Sequence, residues 1–424
     1  MGTTHGPTGA IIEVEKQVIP VDKALEIVLA ATPTLPAEDA PLAEVVGRVL
    51  AEDVASDVDF PPFDRSAMDG YAVRAADAAS MPATLLVVGE VRAGQWPDRD
   101  VAPGEAVRIM TGAPVPRGAS AVQQVEKTRA LDGGRRVELL APVETGQNIA
   151  RQGSEVRIGD RVLERGQTID AAAVAVLAAV GKGRLRVGRR PQVAVIVTGD
   201  ELVDVWTAPG RARIRNSNGP ALLAQVREAG GEPIDFGVVP DDRERLAQAV
   251  KDAFRADVVV ISGGVSEGAY DFVEEVLTRY DVRIAFDKVA IKPGAPLVFG
   301  RRGEKLIFGL PGNPVSAQVC FDVFVRAALR RMQGALVCSR PTVEASLDAP
   351  LRNRSGRRNH MPVQLRFAGG RFVARPLRSM GSADIVAHAR ANALAIMDAT
   401  RLEAAAGETV PVLLLASFLD RDGQ

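Results

Sequence analysis

The chain has 424 residues, 46% of them apolar and 25% charged, with a formal net charge of −1. That length holds roughly three domains of about 150 residues. The near-neutral balance excludes a whole-surface basic footprint for nucleic acid and leaves room for a local anion pocket. Aromatics are only 4%, so Ala, Val, Leu and Ile must build the core. Two cysteines, Cys320 and Cys338, and three histidines, His5, His360 and His388, match no zinc spacing and no disulfide framework. Reduced thiols and a cytoplasmic protein are the expectation. The opening MGTTHGPTGAIIEVEK lacks the pattern of a signal peptide. The most apolar long stretch, Ala171 to Val180, is too short to span a bilayer, so no membrane partner is expected.

Residues 1 to about 20 read as a tail. Val21 to Ala31 carries Ala24, Ile27, Val28 and Ala31 at helical spacing. Pro41 to Ala51 is expected to form a second helix, with Pro41 suiting its first position. From about 57 to 148, short apolar runs split by Gly and Pro predict a β-rich module. The run AAAVAVLAAVG then predicts a helix that groups with the first two, making the β-rich module an insertion. From about 190, strands alternate with helices, which predicts a mostly parallel, doubly wound sheet. Short strands return from about 335 to the end.

In such a sheet, ligands bind outside the carboxyl ends of the strands. Three polar loops follow strands here: TGDEL (Thr198 to Leu202), SGGVS (Ser262 to Ser266) and LPGNP (Leu310 to Pro314). With parallel strands, all three open on one edge. Gly263 and Gly264 would offer backbone N–H groups, and Ser262 and Ser266 hydroxyls, to a phosphate. Pro311 and Pro314 fix φ at both ends of a stiff loop whose Gly312 and Asn313 lie between them. Asp241 and Asp271 each precede a helix and have a Glu three residues on, the pattern of a helix cap. Asp200 and Glu201 have no adjacent helix to cap and suit a hard cation shared with a phosphate. Lys288 and Lys292 alternate with Val289 and Ile291, which on one strand puts both ammonium groups on one face. In the β-rich module, FPPFDRSAMDGYAV holds Asp64 and Asp69 in a constrained loop, and RIMTGAPVP offers Thr111 as a donor to an anion.

Taken together, PPFDRSAMDGYAV, RIMTGAPVP, TGDEL, SGGVS, KPG and GLPGNPVSA resemble, in order and spacing, the molybdopterin molybdenumtransferase family, bacterial relatives of the gephyrin E domain. The likeness runs from about residue 20 to 418. It implies insertion of molybdenum from molybdate into adenylylated molybdopterin with release of AMP, assisted by Mg²⁺ or a similar divalent cation. It implies a homodimer of four-domain subunits, with partners among other molybdenum cofactor biosynthesis proteins. The expected domains are a linking domain (21–50 and 148–185), a β-rich insertion (51–147), an α/β molybdopterin-binding domain (186–333) and a C-terminal β-barrel-like domain (334–420). Carried over by position, Asp64, Thr111, Glu201, Asp241 and Asp271 fall on the catalytic set, with Glu201, Asp241 and Asp271 as metal ligands. The ligand-binding set is Ser262, Gly263, Gly264, Ser266, Lys288, Lys292, Pro311, Gly312, Asn313, Pro314, Arg357 and Ser382. The chain departs from the family pattern at Glu155, at Ala295 in KPGAP, at the carboxylate-adding Glu267, at RIRNSN and at GRRNHMPVQ. A pterin carrier without turnover and a tungstate-inserting paralogue share these motifs as alternative readings.

Overall fold

The computed structural model describes residues 18–264 and 272–415. Two compact units emerge, one of residues 1–52, 166–170 and 184–424, the other of residues 53–165 and 171–183. No helix among the described residues is long and apolar enough to cross a membrane.

The centre of the first unit is a six-stranded sheet. In chain order its strands are β1 (Gln192–Thr198), β2 (Glu232–Val239), β3 (Val258–Ser262), β4 (Arg283–Lys288), β5 (Pro296–Arg302) and β6 (Lys305–Leu310). Their spatial order is β2-β1-β3-β6-β5-β4. The first four of these run parallel, and β5 is antiparallel to both its neighbours, β6 and β4. Alternate residues of one strand enter opposite cores. Val193 and Val195 pack with Leu222, Phe308 and Phe324 on one face. Ala194 and Ile196 pack with Leu246, Val250, Val276 and Ile307 on the other. A strand buried on both faces needs apolar residues at every position, which is why β1 and β3 read as unbroken apolar runs. The helices Asn218–Glu228, Arg243–Ala253 and Val273–Arg279 follow β1, β2 and β3. After β6, one helical stretch runs from Pro314 to Met332 with a π turn at Phe321–Val325.

The expected helix Val21–Ala31 forms, with Val21, Ala24, Val28 and Ala31 buried. The expected helix from Pro41 does not. Pro41 instead ends the strand Ala37–Pro41, which pairs with Arg184–Gly188, and only Leu42–Glu44 makes a helical turn. Gly47, at φ +79°, breaks any continuation, and Leu50 bridges to Val187.

The C-terminal strands close on themselves: Arg358–Ala368 pairs with both Arg371–Pro376 and Ala393–Met397, and Thr342–Leu347 and Thr409–Leu414 complete the ring. This is the anticipated β barrel. His360 lies in its wall, 4% exposed, and burial pushes its imidazole down to about 4. A proton therefore binds the unfolded chain more readily than the folded one between pH 6.5 and 4. Stability from this group is full above pH 6.5, falls as pH drops through that window and levels off below 4. The loss amounts to about 3 kcal/mol. Urea midpoints measured across that range should show it, and His360→Gln should flatten the curve; an unchanged slope contradicts the assignment.

In the second unit, a six-stranded sheet ordered 121–124, 70–73, 105–109, 83–91, 136–139 and 128–131 carries the loops holding Asp64 and Thr111. The helix Ala171–Ala179 groups with this unit rather than with Val21–Ala31.

Candidate functional site

The carboxyl ends of β1, β3 and β6 stand level, since Val197 pairs with Ser262 and Ser262 with Leu310. Register therefore brings the three polar loops together, as the sequence predicted. They line one cleft of about 620 Å³ with Thr198, Glu201, Arg215, Asn218, Asp241, Ser262, Gly263, Gly264 and Pro311 to Pro314. A larger cleft, about 1300 Å³, opens elsewhere, among Arg189, Asp257, Arg283 and Arg301, and carries none of the predicted residues.

Close packing locks the loops. The Ser262 hydroxyl is buried and donates to the Pro311 carbonyl at 3.2 Å. The Asn218 side-chain amide donates to Ser262 Oγ at 2.9 Å and to the Gly312 carbonyl at 2.8 Å. Because a carbonyl only accepts, the Asn218 amide nitrogen must face Gly312. The Gly263 N–H donates to the Leu310 carbonyl at 3.1 Å, extending the ladder by one residue. Ser262 and Gly263 are thus internal fasteners, which corrects their expected role as phosphate donors. A Cβ on Gly263 would lie 2.5 Å from the Thr198 carbonyl oxygen.

Asp241 is not a cap. The helix is capped by Asp242, whose carboxylate accepts from Arg245 N at 2.8 Å. Asp241 accepts instead from the Thr198 hydroxyl at 2.6 Å and from Asp200 N at 3.2 Å, while Asp241 N donates back to Asp200 at 3.2 Å. It ties the end of β2 to the loop after β1 and stays on the cleft wall. Glu201 is exposed, and its carboxylate folds back over Gly199. Ser266 and Asp271 lie outside the described residues, as does Glu267.

Lys288 and Lys292 are not on one strand. Lys288 ends β4 opposite Pro296, whereas Ile291–Lys292 pairs with the barrel strand at Arg358 and Asn359. The alternation survives as burial, since Val289 and Ile291 are both fully buried. Of the two, Lys292 lines a cleft beside the predicted loops. This second cleft, of about 630 Å³, is lined also by Arg357, Ser382, Asn313 and Pro311. No hydrogen bond or ion pair engages the Lys292 ammonium or the Arg357 guanidinium among the described residues. The neighbouring Arg358 is instead paired with Asp22, at 2.6 and 2.8 Å, and with Asp398 at 2.8 Å. The two clefts share Pro296, Pro311 and Asn313 as a common wall.

In the second unit Asp64 accepts from Arg151 and, at 2.9 Å, from Gln152 N. The Thr111 hydroxyl and N–H both donate to Asp69 at 2.7 Å, and these bonds hold the Asp69 carboxyl below its usual range. Thr111 therefore presents lone pairs rather than the anticipated proton. Glu155, a departure in the sequence, pairs with Arg65 at 3.3 Å.

Sequence reasoning missed Asn218 and Arg151, and it named Asp69 without foreseeing its bonds to Thr111. For Asn218 a signal existed. Asn216 already caps the helix by accepting from Gly219 N at 2.9 Å, which leaves a second amide at the same helix start without a local task.

Among the described residues no group of three or more His, Cys, Asp or Glu side chains converges as a ready-made metal cage. Glu201 and Asp241 line the first cleft as hard oxygen donors. That set fits Mg²⁺, which keeps waters and takes much of its coordination from substrate phosphates.

Comparison with known proteins agrees along most of the chain. Residues 19–181 match the family model for the MoeA N-terminal region (domain I and II). Residues 194–331 match a probable molybdopterin binding domain, and residues 344–415 the MoeA C-terminal region (domain IV). A molybdopterin molybdenumtransferase of Staphylococcus aureus is 35% identical over 406 residues, 94% of this chain and 96% of that protein. The crystal structure of a molybdopterin biosynthesis moeA protein from Pyrococcus horikoshii is 33% identical, with a TM-score of 0.81 over 94% of this chain and all of that one. A molybdenum cofactor biosynthesis protein from Pyrococcus furiosus, 23% identical with a TM-score of 0.58 over 94% of this chain and all of that one, shares the fold. The chain belongs to the molybdopterin molybdenumtransferase family, enzymes of molybdenum cofactor biosynthesis.

Proposed function

We propose that the protein transfers molybdenum from molybdate to adenylylated molybdopterin and releases AMP. The observation carrying this reading is the pair of adjoining clefts. One is lined by the carboxylates Glu201 and Asp241 and by glycine-rich backbone, the other by Lys292, Arg357 and Ser382. A diphosphate bridged by a cation suits the first, and a tetrahedral oxyanion beside two free cations suits the second. Glu201 and Asp241 would hold Mg²⁺ against the diphosphate, and the ion would polarise the phosphoanhydride as a Lewis acid. Thr198 and Asp200 N fix the Asp241 carboxylate in place, so little reorganisation is needed at the moment of cleavage. Lys292 and Arg357 orient and neutralise the oxyanion, while Pro311 and Pro314 hold backbone and move no proton. Asp64 and Thr111 join the catalytic set through the resemblance, and a homodimer belongs to the same proposal.

AMP release from adenylylated molybdopterin, measured with and without Mg²⁺ and with molybdate against tungstate, tests this. Glu201→Gln and Asp241→Asn should each cut turnover by at least about a hundredfold, with the thermal midpoint kept within a few degrees. Pterin binding without AMP release by the wild-type protein favours a carrier instead. A tungstate preference identifies the other metal.

A further inference from the structure

The short parallel pair Leu202–Val203 and Ile214–Arg215 frames a loop, residues 204–213, on the rim of the first cleft. At its head stands Trp206, 91% exposed, next to Val205 at 43%. Ile214, at the loop's foot, is 56% exposed. An indole so open to water contributes nothing to a core, and the chain has only one other tryptophan. The loop and its flanks carry charge of both signs: Trp206 N donates to the Asp204 carboxylate at 2.9 Å, and three arginines follow in sequence. Arg213 reaches back to the Asp200 carbonyl, and Arg211 is exposed beside it. Arg215 lines the cleft and donates through Nε to the Thr207 carbonyl at 3.1 Å, so a cleft-wall guanidinium is bonded to the residue adjoining Trp206. An exposed aromatic plane on a loop whose foot, Ile214 and Arg215, lines a polar cleft suits a flat heterocycle carrying phosphate: the ring stacks on the indole and Arg215 takes the anion.

We propose that Trp206 is a stacking subsite for the planar nitrogen heterocycle of the phosphate-bearing ligand, with Arg215 coupling the loop to the phosphates. This rests on the reading that the first cleft holds that ligand. The heterocycle has two sources, the nucleobase and the pterin, and separate probes distinguish them.

In a Trp96→Phe background Trp206 is the sole tryptophan. Its emission should be quenched saturably by AMP if the nucleobase stacks, whereas calorimetry with a free pterin reports the other ring. Trp206→Ala should weaken one of the two by roughly tenfold or more and leave pyrophosphate binding unchanged, and Trp206→Phe should restore most of the loss. If AMP and pterin bind wild type and Trp206→Ala equally, the stacking proposal fails while the cleft reading stands. If neither they nor pyrophosphate binds wild type, the cleft reading fails and takes this one with it. If Trp206→Ala alters sedimentation but no ligand affinity, the indole is a contact between subunits and the proposal is overturned.

Discussion

A Gly263→Ala variant should lose about 2–5 kcal/mol of stability and at least about a hundredfold of turnover. Two costs add at this position. The residue sits at φ +100°, where a side chain is strained, and its Cβ would lie 2.5 Å from the Thr198 carbonyl oxygen. Thr198 cannot retreat without consequence, because its hydroxyl holds Asp241 at 2.6 Å and its strand is fully buried between two neighbours. Relief of the clash therefore moves the carboxylate, and a displacement near 1 Å is enough to disturb an aligned site. Urea unfolding and AMP release on the same preparation measure both effects. Wild-type behaviour in both would mean that the three loops are not packed as described.

The second large effect lies away from the clefts. Asp322, on the π turn, is 4% exposed and bonded at 2.7 Å to Arg340, itself 8% exposed. Burial raises the Asp322 carboxyl, and the Arg340 guanidinium pulls it back down. Arg340→Met removes the bonded cation and leaves the buried carboxylate with the charge of Arg326 and a Gln225 hydrogen bond, and should cost about 3–5 kcal/mol. The pH dependence distinguishes this from lost packing. Burial holds the folded-state value for Asp322 above the unfolded one even with Arg340 in place, and losing that cation raises it further, so the variant binds the proton still more tightly when folded. Its deficit should be largest at neutral pH and shrink on acidification toward the raised value. Asp322→Asn combined with Arg340→Met should recover part of the loss. A deficit that does not change with pH would point to packing alone.

The fold was legible where one physical rule dominated. Continuous apolar runs flagged strands buried on both faces, and their alternation with helices predicted a parallel sheet with its loops on one edge. The failures share a cause. Pro41 satisfied a local helix rule, yet Val45, Val49 and Leu50 are each fully buried in long-range contacts that the pattern does not encode. Asp241 and Asp242 are equally good caps by composition, and only the position of Thr198 across the sheet edge decides which is free to cap. Lys288 and Lys292 kept their spacing, but the chain changes sheets between them. The site loops were identified by their residue types, whereas the hydrogen bonds assigning Ser262 and Gly263 to internal fastening come from register, which one sequence does not disclose.

The wall formed by Pro296, Pro311 and Asn313 has a thermodynamic meaning. Two compartments that share a wall can be coupled through it, and linkage then binds both affinities to one factor. Any factor by which an oxyanion beside Lys292 and Arg357 alters the affinity for the phosphorylated ligand must be returned in full by that ligand on the oxyanion. Order of addition then changes the path and leaves the ternary state the same. Two titrations, each ligand measured with and without the other, read that common factor.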